Sequence, residues 1–470
     1  MHQSNPTNTP IPNKMGVMPV GRLLLNMAWP VMVSMLIQGC YNVVDSIFVA
    51  QISEDALTAV SLAFPLQMLS ISVAVGTGVG INSLISRRLG EKRYDDANQG
   101  ASNGLFLMAC SYLLFLLIGL FLVKPFFHIF TDDVGIREMG ISYLTIAMTL
   151  SLGVFMQIGC ERIVQATGNT IYPMFMQLAG AVTNLILDPI LIFGYFGLPA
   201  MGVTGAALAT VIGQFVGMGL SFYLLFKKKH AVRISFRNFR PNAGIIRDIY
   251  VVGVPSIVMQ SIGSVMTFGL NKILIAFTPT AVSVLGVYFK LNSFAFMPVF
   301  ALNGGSMSIM AYNYGARNRK RIMQTLKYAV LYSLCIMLVG TLVFHLFTPA
   351  LLLLFNASED MLALGVPALR IISLSFPGAA LCISLSNLFQ AVGKGALSLW
   401  MSIIRQLVVI LPVSFLFSRL FGLAFVWYAF PISEVISLTM AILIVRHIYK
   451  TMLLPLDEAP AAVPEFAPHS

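Results

Sequence analysis

The sequence contains little charge, and this narrows the classes of protein to which it can belong. Only 10% of its 470 residues are Asp, Glu, Lys or Arg, whereas 57% are hydrophobic. Ordinary soluble domains carry about 25% charged residues, and so large an apolar excess is typical of a chain that crosses a membrane many times. We therefore predict an all-α polytopic membrane protein.

Cysteine and histidine are scarce and scattered. The five cysteines stand singly and the six histidines show no metal-ligand spacing, so neither a disulfide framework nor a zinc site is expected. The first twenty residues are polar and proline-rich. They lack the apolar core and small-residue cleavage site of a signal peptide, and we interpret them as a short cytoplasmic tail. We expect no cofactor and no resident metal.

Long apolar runs, in contrast, are abundant. Twelve of them are long enough to cross about 30 Å of hydrocarbon, and charge or Gly/Pro clusters separate them. The predicted spans are 21–47, 57–85, 99–123, 139–160, 171–194, 202–226, 248–277, 281–311, 325–348, 362–386, 396–418 and 422–447.

Basic residues divide the loops into two sets. The loops after even-numbered spans hold most of the Lys and Arg residues, at 87–93, 162, 227–247, 317–327 and 394. The loops after odd-numbered spans hold only Lys124, Arg137 and Arg419. Because positively charged loops are retained in the cytoplasm, we predict cytoplasmic termini and insertion in the plasma (inner) membrane. The net charge of +11 then reflects topology and contact with membrane lipids, and nucleic-acid binding is not expected.

The chain repeats itself at a constant offset of 225 in the numbering. Pro30 matches Pro255, Gly90 matches Gly315, and QATG at 165–168 matches QAVG at 390–393. Each half holds six spans, and because six is even, both halves share one orientation about a pseudo-two-fold axis along the membrane normal.

This repeat predicts the domain organisation and the place of transport. We expect a tail at 1–20, a six-helix lobe at 21–226, a basic linker at 227–247, a second lobe at 248–450 and a tail at 451–470. Substrate should pass through the cleft between the two lobes, because transporters with repeats of this kind bind cargo at the repeat interface.

The two halves differ in their acidic residues. Asp45, Asp188 and Glu434 are predicted to be the acidic residues well inside spans, and the positions that match Asp45 and Asp188 in the second half are Leu270 and Val413. A carboxylate in hydrocarbon costs roughly 2.5–3.5 kcal/mol and marks ion pathways. We therefore place an ion-coupling site in the first half. The alternative is that each carboxylate is buried singly and satisfied by neighbouring hydroxyls and amides.

Two helical faces are expected to converge on this site. Tyr41 precedes Asp45 by four residues, and Asn184 precedes Asp188 by four, so each pair shares a helix face. Two carboxylates held close together cannot both stay ionised without a cation or a shared proton. The pattern therefore predicts a site for H⁺ or Na⁺.

Two prolines and three hydroxyls flank the predicted site. Pro189 follows Asp188 directly and should free carbonyl oxygens beside it. Pro30 is a candidate hinge of span one, with a tolerated kink as the alternative. Tyr143 is a candidate hydrogen-bonding neighbour of Asp45, or an interfacial anchor. Thr204 and Thr210 are candidate oxygen ligands, or helix-packing residues.

The second half carries the candidate substrate cleft. Lys290 is expected to face the cleft, and Met259 and Met297 are expected to line it, with ordinary membrane packing as the alternative for the methionines. Glu434 is expected either to neutralise a basic residue within its lobe or to contact substrate.

These residues resemble the multidrug and toxic compound extrusion (MATE) family, from about Leu23 to Tyr449. The motifs that carry the resemblance are Pro30 and Asp45, SRRLGEKRYDDA at 86–97, QATGNT at 165–170, NLILDPILIFG at 184–194, GVTGAALAT at 202–210, YNYGARNRK at 312–320 and QAVGKG at 390–395. The resemblance implies a V-shaped pair of six-helix lobes that alternates between outward-open and inward-open states. It assigns the cation to Asp45, Asn184 and Asp188, with Tyr41, Tyr143 and Thr210 as neighbours.

The implied function is secondary active export of organic, drug-like cations in exchange for H⁺ or Na⁺, by a monomer and without enzymatic activity. The rival within the same superfamily is a flippase for lipid-linked precursors, whose cavity should be rich in arginine. A major facilitator fits less well, because an acidic residue should precede the basic pair, where this chain has Ile85 and Ser86. An intramembrane enzyme would need a catalytic constellation, and no His, Ser or acidic cluster supplies one. The coupling ion and the substrate stay open.

Overall fold

The computed structural model describes residues 13–228, 230–236, 239–355 and 357–457, and these residues form helices and no strands. Ten of the helices are long and apolar enough to cross a membrane, and counting each of two bent pairs as one crossing gives twelve. The prediction of an all-α protein with twelve spans is confirmed. The remainder of the predicted tails, 1–12 and 458–470, lies outside the described residues.

We number the crossings α1 to α12. They are α1 Val20–Ile52, α2 Glu54–Gly90, α3 Tyr94–Phe121, α4 Val134–Thr149 with Leu152–Ala166, α5 Ile171–Phe193, α6 Gly202–Lys227, α7 Ala243–Ile275, α8 Pro279–Gly315, α9 Arg319–Leu346, α10 Glu359–Ser373 with Phe376–Ala391, α11 Gly395–Leu420 and α12 Leu423–Leu456. Shorter helices are Lys14–Val17, Val123–Phe130 and Thr348–Leu353.

Several helices extend beyond the predicted apolar windows because polar caps start them earlier. The Ser53 hydroxyl accepts a hydrogen bond of 3.0 Å from the Ala56 amide at the start of α2. The Asn318 side chain accepts one of 3.1 Å from the Arg321 amide at the start of α9. Such caps satisfy the free amides of a first turn, so the helix begins in the polar region rather than where hydrocarbon begins.

The spans α4 and α10 are each bent by 43°, which the continuous apolar runs did not reveal. A serine lies at each bend and turns its hydroxyl back to a backbone carbonyl. Ser151 Oγ donates to the Met148 carbonyl at 2.7 Å, and Ser375 Oγ donates to the Ile372 carbonyl at 2.6 Å. A hydroxyl bonded to the preceding turn competes with the helical amide and bends the helix.

The two lobes contact each other through a symmetric pair of glycines. Gly90 at the end of α2 packs against the carbonyl oxygen of Tyr312 on α8, and Gly315 at the end of α8 packs against the carbonyl oxygen of Arg87 on α2. Tyr312 is the repeat equivalent of Arg87, as Gly315 is of Gly90. The pseudo-two-fold axis therefore passes between the ends of α2 and α8, where only glycine allows so close a backbone approach.

We call this end of the molecule the basic face, because it carries the loop at 87–93. The hydrogen bonds that join the lobes within the described residues all lie in this half. Ser308 Oγ donates to Asn82 Oδ1 at 3.0 Å, and Ser83 Oγ donates to the Gln390 carbonyl at 2.8 Å. Arg88 forms an ion pair with Asp248 at 3.1 Å. The lobes are thus closed together at the basic face.

The helix Lys14–Val17, which falls in the predicted tail at 1–20, adds to this closure. Met15 is fully buried, and its carbonyl accepts hydrogen bonds from Asn313 at 3.0 Å and from Arg321 at 2.9 Å. Burial also lowers the pKa of Lys14. The segment before α1 is therefore part of the contact between the lobes.

Candidate cation site

The site lies on α5, whose residues 184–189 combine an amide, a carboxylate and a proline. Asp188 is fully buried and Asn184 is 2% exposed. Pro189 stands within the helix, which continues to Phe193 and ends at Gly194 with a φ of +78°. Because proline has no amide hydrogen, the carbonyl of Leu185 receives no helical hydrogen bond from it. The helix thus places a carboxylate next to a weakened turn.

Asn184 is the centre of the hydrogen bonding. Its Nδ2 donates to Asp188 Oδ1 at 3.3 Å and to Thr210 Oγ1 on α6 at 3.2 Å. Of the two threonines considered from the sequence, Thr210 is the one that this amide contacts. The amide therefore links α5 to α6 and holds the Asp188 carboxyl group.

Asp45 of α1 reaches the same place. Its carboxyl group interacts directly with that of Asp188, although the two lie on helices that are far apart in the chain. The buried atoms Asp45 Oδ1, Asp188 Oδ2 and Asn184 Oδ1 accept no hydrogen bond from any described residue. Buried acceptors without a donor are costly, and a cation or proton bound at the carboxyl pair would offset that cost.

Two tyrosines border the carboxyl pair. The Tyr41 hydroxyl interacts with the side chain of Thr210. Tyr143 is 5% exposed, and its hydroxyl accepts a hydrogen bond of 3.2 Å from Gln67 Nε2 on α2. The Gln67 bond uses the hydroxyl oxygen as an acceptor, and Asp45 also lies near enough to act on Tyr143. The expected hydrogen bond from Tyr143 to Asp45 stays a prediction. An amide inside an otherwise apolar span is the signal in the sequence that could have identified Gln67.

The available ligands are carboxylate, amide and hydroxyl oxygens. Hard cations such as Na⁺ prefer oxygen ligands, and a carboxyl pair can also share one proton. No group of three or more His, Cys, Asp or Glu residues that could hold a metal ion occurs among the described residues. The donor set fits a monovalent cation or a proton.

Pro30 lies inside α1, on the side toward the basic face. The helix runs without a break through Pro30 to Ile52, and the Ser34 hydroxyl donates to the Pro30 carbonyl at 3.0 Å. Pro30 and Asp45 thus belong to one continuous helix. Its role as a hinge stays a prediction.

The candidate cleft residues of the second lobe lie on two helices, Lys290 and Met297 on α8 and Met259 on α7. Lys290 is exposed, and its Nζ lies 5.9 Å from the centre of the Phe355 ring. Met297 lies against Gly39 of α1, where the methyl group would be 2.8 Å from an added Cβ. Met259 is half-buried on α7. A role for them in substrate binding stays a prediction.

Glu434 does find a basic partner within its own lobe. Its Oε1 lies 3.5 Å from Nη1 of Arg405, and Arg405 belongs to the π-helical segment Ile404–Ile410. The packing around Glu434 also departs from the repeat. Gly153 packs against Gln214, whereas its equivalent Gly378 packs against Glu434, which is not the repeat equivalent of Gln214.

Glu161 is a buried carboxylate that the sequence analysis missed. It is 6% exposed and lies within α4, which continues to Ala166, beyond the predicted end of span four at residue 160. For the same reason Arg162 lies in the helix rather than in a loop. The apolar window ended at the first charged residues, and this placed both of them wrongly outside the span.

The comparisons with known proteins agree with this fold. The family model MatE matches residues 30–190 and again residues 255–416, and the two matches begin at the equivalent prolines of the repeat. The multidrug export protein MepA of Staphylococcus aureus is 26% identical over 91% of this chain and 94% of its own length. The FAD transporter of Shewanella oneidensis is 25% identical over 89% of this chain and 92% of its own length.

A solved structure gives the same result. An outward-facing multidrug resistance MATE transporter of the MOP superfamily superposes with a TM-score of 0.87 at 26% identity, over 95% of this chain and 99% of that one. Twelve helices in two repeated lobes, a doubled family match and this superposition lead to one conclusion: the chain is a multi-pass membrane transporter that belongs to the MATE family.

Proposed function

We propose that this protein exports organic, drug-like cations across the plasma (inner) membrane as a monomer, in exchange for H⁺ or Na⁺. Both termini are cytoplasmic in this proposal, so the basic face is the cytoplasmic face. The observation that carries the proposal is the carboxyl pair Asp45 and Asp188 with its unsatisfied buried oxygens. A transporter with no coupling ion would have no need of two costly carboxylates in contact.

The closed basic face supports an outward-facing state in the proposed cycle. Since the hydrogen bonds between the lobes lie in that half, the cleft is sealed from the cytoplasm and corresponds to the outward-facing state. A cation entering from outside binds at Asp45, Asp188 and Asn184. It changes the balance between the two states only by its differential affinity for them. Movement of α1 about Pro30 then lowers the affinity of the cleft for the drug.

The test is transport of ethidium, a fluorescent organic cation, in proteoliposomes. A pH gradient and a sodium gradient are imposed in separate experiments. We expect one of them to drive ethidium against its concentration gradient, and we expect Asp188→Asn to abolish this while the variant still reconstitutes in the membrane. Transport by Asp188→Asn at the wild-type rate would overturn the proposal.

The identity of the cargo needs a second transport measurement, because MepA and the FAD transporter carry different cargo. MepA is a multidrug exporter and the other relative transports FAD, an anion. The acidic site in the first lobe favours a cationic drug, whereas the exposed Lys290 in the second lobe favours an anion. FAD is therefore tested beside ethidium. A labelled lipid-linked sugar tests the flippase alternative, for which the carboxylate-lined site is a poor match to a pyrophosphate.

A further inference from the structure

Among the described residues three acidic side chains are buried, and the proposed cycle leaves Glu161 without a role. The other two are Asp188, which belongs to the cation site, and Glu434, which has Arg405 as its partner. Glu161 forms no such ion pair within the described residues. A buried carboxylate without a pairing base is expensive in a membrane and usually marks an ion pathway.

The Glu161 carboxylate is held by amides from two helices. Gln157 Nε2 donates to Oε1 at 2.9 Å, and Gln177 Nε2 on α5 donates to Oε2 at 2.9 Å. Gly217 of α6 leaves the space that the Gln157 amide occupies, since an added Cβ there would collide with it. Each carboxylate oxygen thus accepts a hydrogen bond from one neutral amide. The two amides stabilise the carboxylate but do not neutralise its charge, so a cation or proton can still bind there.

The position of this cluster relates it to the cation site. Gln177, Asn184 and Asp188 are spaced by seven and four residues on α5, so they lie along one face of the helix. At 1.5 Å of rise per residue, the helix from Gln177 to Asp188 spans about 16 Å. α5 begins at the basic face, so the Glu161 cluster lies between that face and the carboxyl pair.

The next residue connects the cluster to the closed contact between the lobes. Arg162 packs against Gly78 of α2, and its Nη1 donates to Gln165 Oε1 at 3.0 Å. Gln165 in turn lies beside Gly304 of α8 in the second lobe. These contacts must open before cargo can enter the cleft from the basic face. Arg162 is the charged group that acts on Glu161, and the Cys160 thiol is a further titratable neighbour.

From this geometry we propose that Glu161, with Gln157 and Gln177, forms a second binding site for the coupling cation. The cation reaches this site after it leaves Asp45 and Asp188, and it is then released toward the basic face. The inference rests on the proposed cation coupling. Occupation of Glu161 neutralises the carboxylate beside Arg162 and so changes the electrostatic balance next to the contact that opens. The H⁺ or Na⁺ is then released into water on the basic side.

The test separates gradient-driven transport from alternating access itself. Ethidium uptake driven by the pH or sodium gradient requires the cation to cross, whereas ethidium–ethidium exchange across the vesicle membrane requires only that the loaded protein reorient. We expect Glu161→Gln to lower gradient-driven uptake by roughly tenfold, within the usual range of coupling between sites. Exchange should remain close to the wild-type rate.

The matched control exchanges the acid and the amide of the hydrogen-bonded pair Glu161 and Gln177. In the double variant Glu161→Gln with Gln177→Glu, the acid lies on α5 and the amide on α4, so we expect gradient-driven uptake to recover. Wild-type uptake by Glu161→Gln, or an equal loss of uptake and exchange without rescue, would overturn the second binding site. Asp188→Asn is measured in parallel, because normal uptake by that variant would instead overturn the proposed function.

Discussion

Asn184 and Thr210 are joined by a hydrogen bond of 3.2 Å from Nδ2 to Oγ1, and the same nitrogen donates to Asp188 Oδ1 at 3.3 Å. Both hydrogens of the amide are thereby used, while its oxygen accepts no hydrogen bond from the described residues. The amide orientation is therefore fixed by α6 and by the carboxylate together. Its oxygen thus stays free as an acceptor, which the cation of the proposed cycle would use.

Removing this amide should weaken cation coupling. We expect Asn184→Ala to raise the cation concentration needed for half-maximal ethidium export by roughly tenfold, because a hydrogen bond to a charged group contributes about 1.5–3 kcal/mol. The measurement is export rate against pH or sodium concentration. Asn303→Ala is the control, since Asn303 is a buried amide of α8 in the second lobe. An equal shift in both variants would indicate a general packing effect.

The repeat supplies a control for the carboxylate itself. Asp188→Asn should abolish gradient-driven export, because the amide cannot take up a proton and cannot neutralise a cation. Val413→Asn introduces the same amide at the repeat-equivalent position of α11, and we expect it to retain most export. Transport rates in matched proteoliposomes, with reconstituted protein quantified, provide the comparison. Similar losses in both variants would contradict a one-sided site.

The glycine pair at the basic face should control closure of the lobes. Gly90→Ala and Gly315→Ala each place a Cβ against a backbone carbonyl of the other lobe, so both should widen that face by the same amount. Spin labels on α2 and α8 near the basic face, with distances measured by pulsed electron resonance, test this. Gly219→Ala is the control because nothing lies within 4 Å of its added Cβ. Unchanged distances in the Gly90 and Gly315 variants would refute the assignment.

Pro30 offers a test of the hinge. Pro30→Ala restores an amide donor in the middle of α1, so we expect slower export with cation binding preserved. Ethidium displacement by the cation in detergent measures binding, and proteoliposome transport measures turnover. Pro255→Ala, at the repeat-equivalent position of α7, should affect transport less because Leu270 replaces the carboxylate there. Wild-type turnover after Pro30→Ala would assign the proline to a tolerated kink.

The pair Arg405 and Glu434 should contribute to stability. Arg405→Gln leaves Glu434, which is 8% exposed, without its partner. Loss of one partner of a buried pair costs about 3 kcal/mol or more. We expect a clear fall in the thermal unfolding temperature, and partial recovery when Glu434→Gln is added. If the double variant is no more stable than Arg405→Gln alone, the pair does not act as a unit.

Local patterns in the sequence determined much of this protein. Apolar run length gave twelve crossings, because a helix must satisfy its own backbone within the hydrocarbon. The constant offset that relates Pro30 to Pro255 gave two lobes, since a duplicated sequence keeps the same inward-facing positions. Asp45, Asn184 and Asp188 stood out because polar groups are rare in such helices. None of these conclusions required knowledge of contacts between distant residues.

Contacts between distant residues were decided only by the tertiary structure. Gln67 became a partner of Tyr143 and Thr210 a partner of Asn184 through helix packing, which fixes the rotation of each helix about its axis. The bends of α4 and α10, each with a serine hydroxyl bonded to the preceding turn, also appear only in the structure. Glu161 escaped notice because the apolar window ended before it, and its amide partners, one of them on α5, are known only from the packed helices. The carboxylate on α5 could be found from the sequence, whereas its partners and its unsatisfied oxygens are properties of the packed helices.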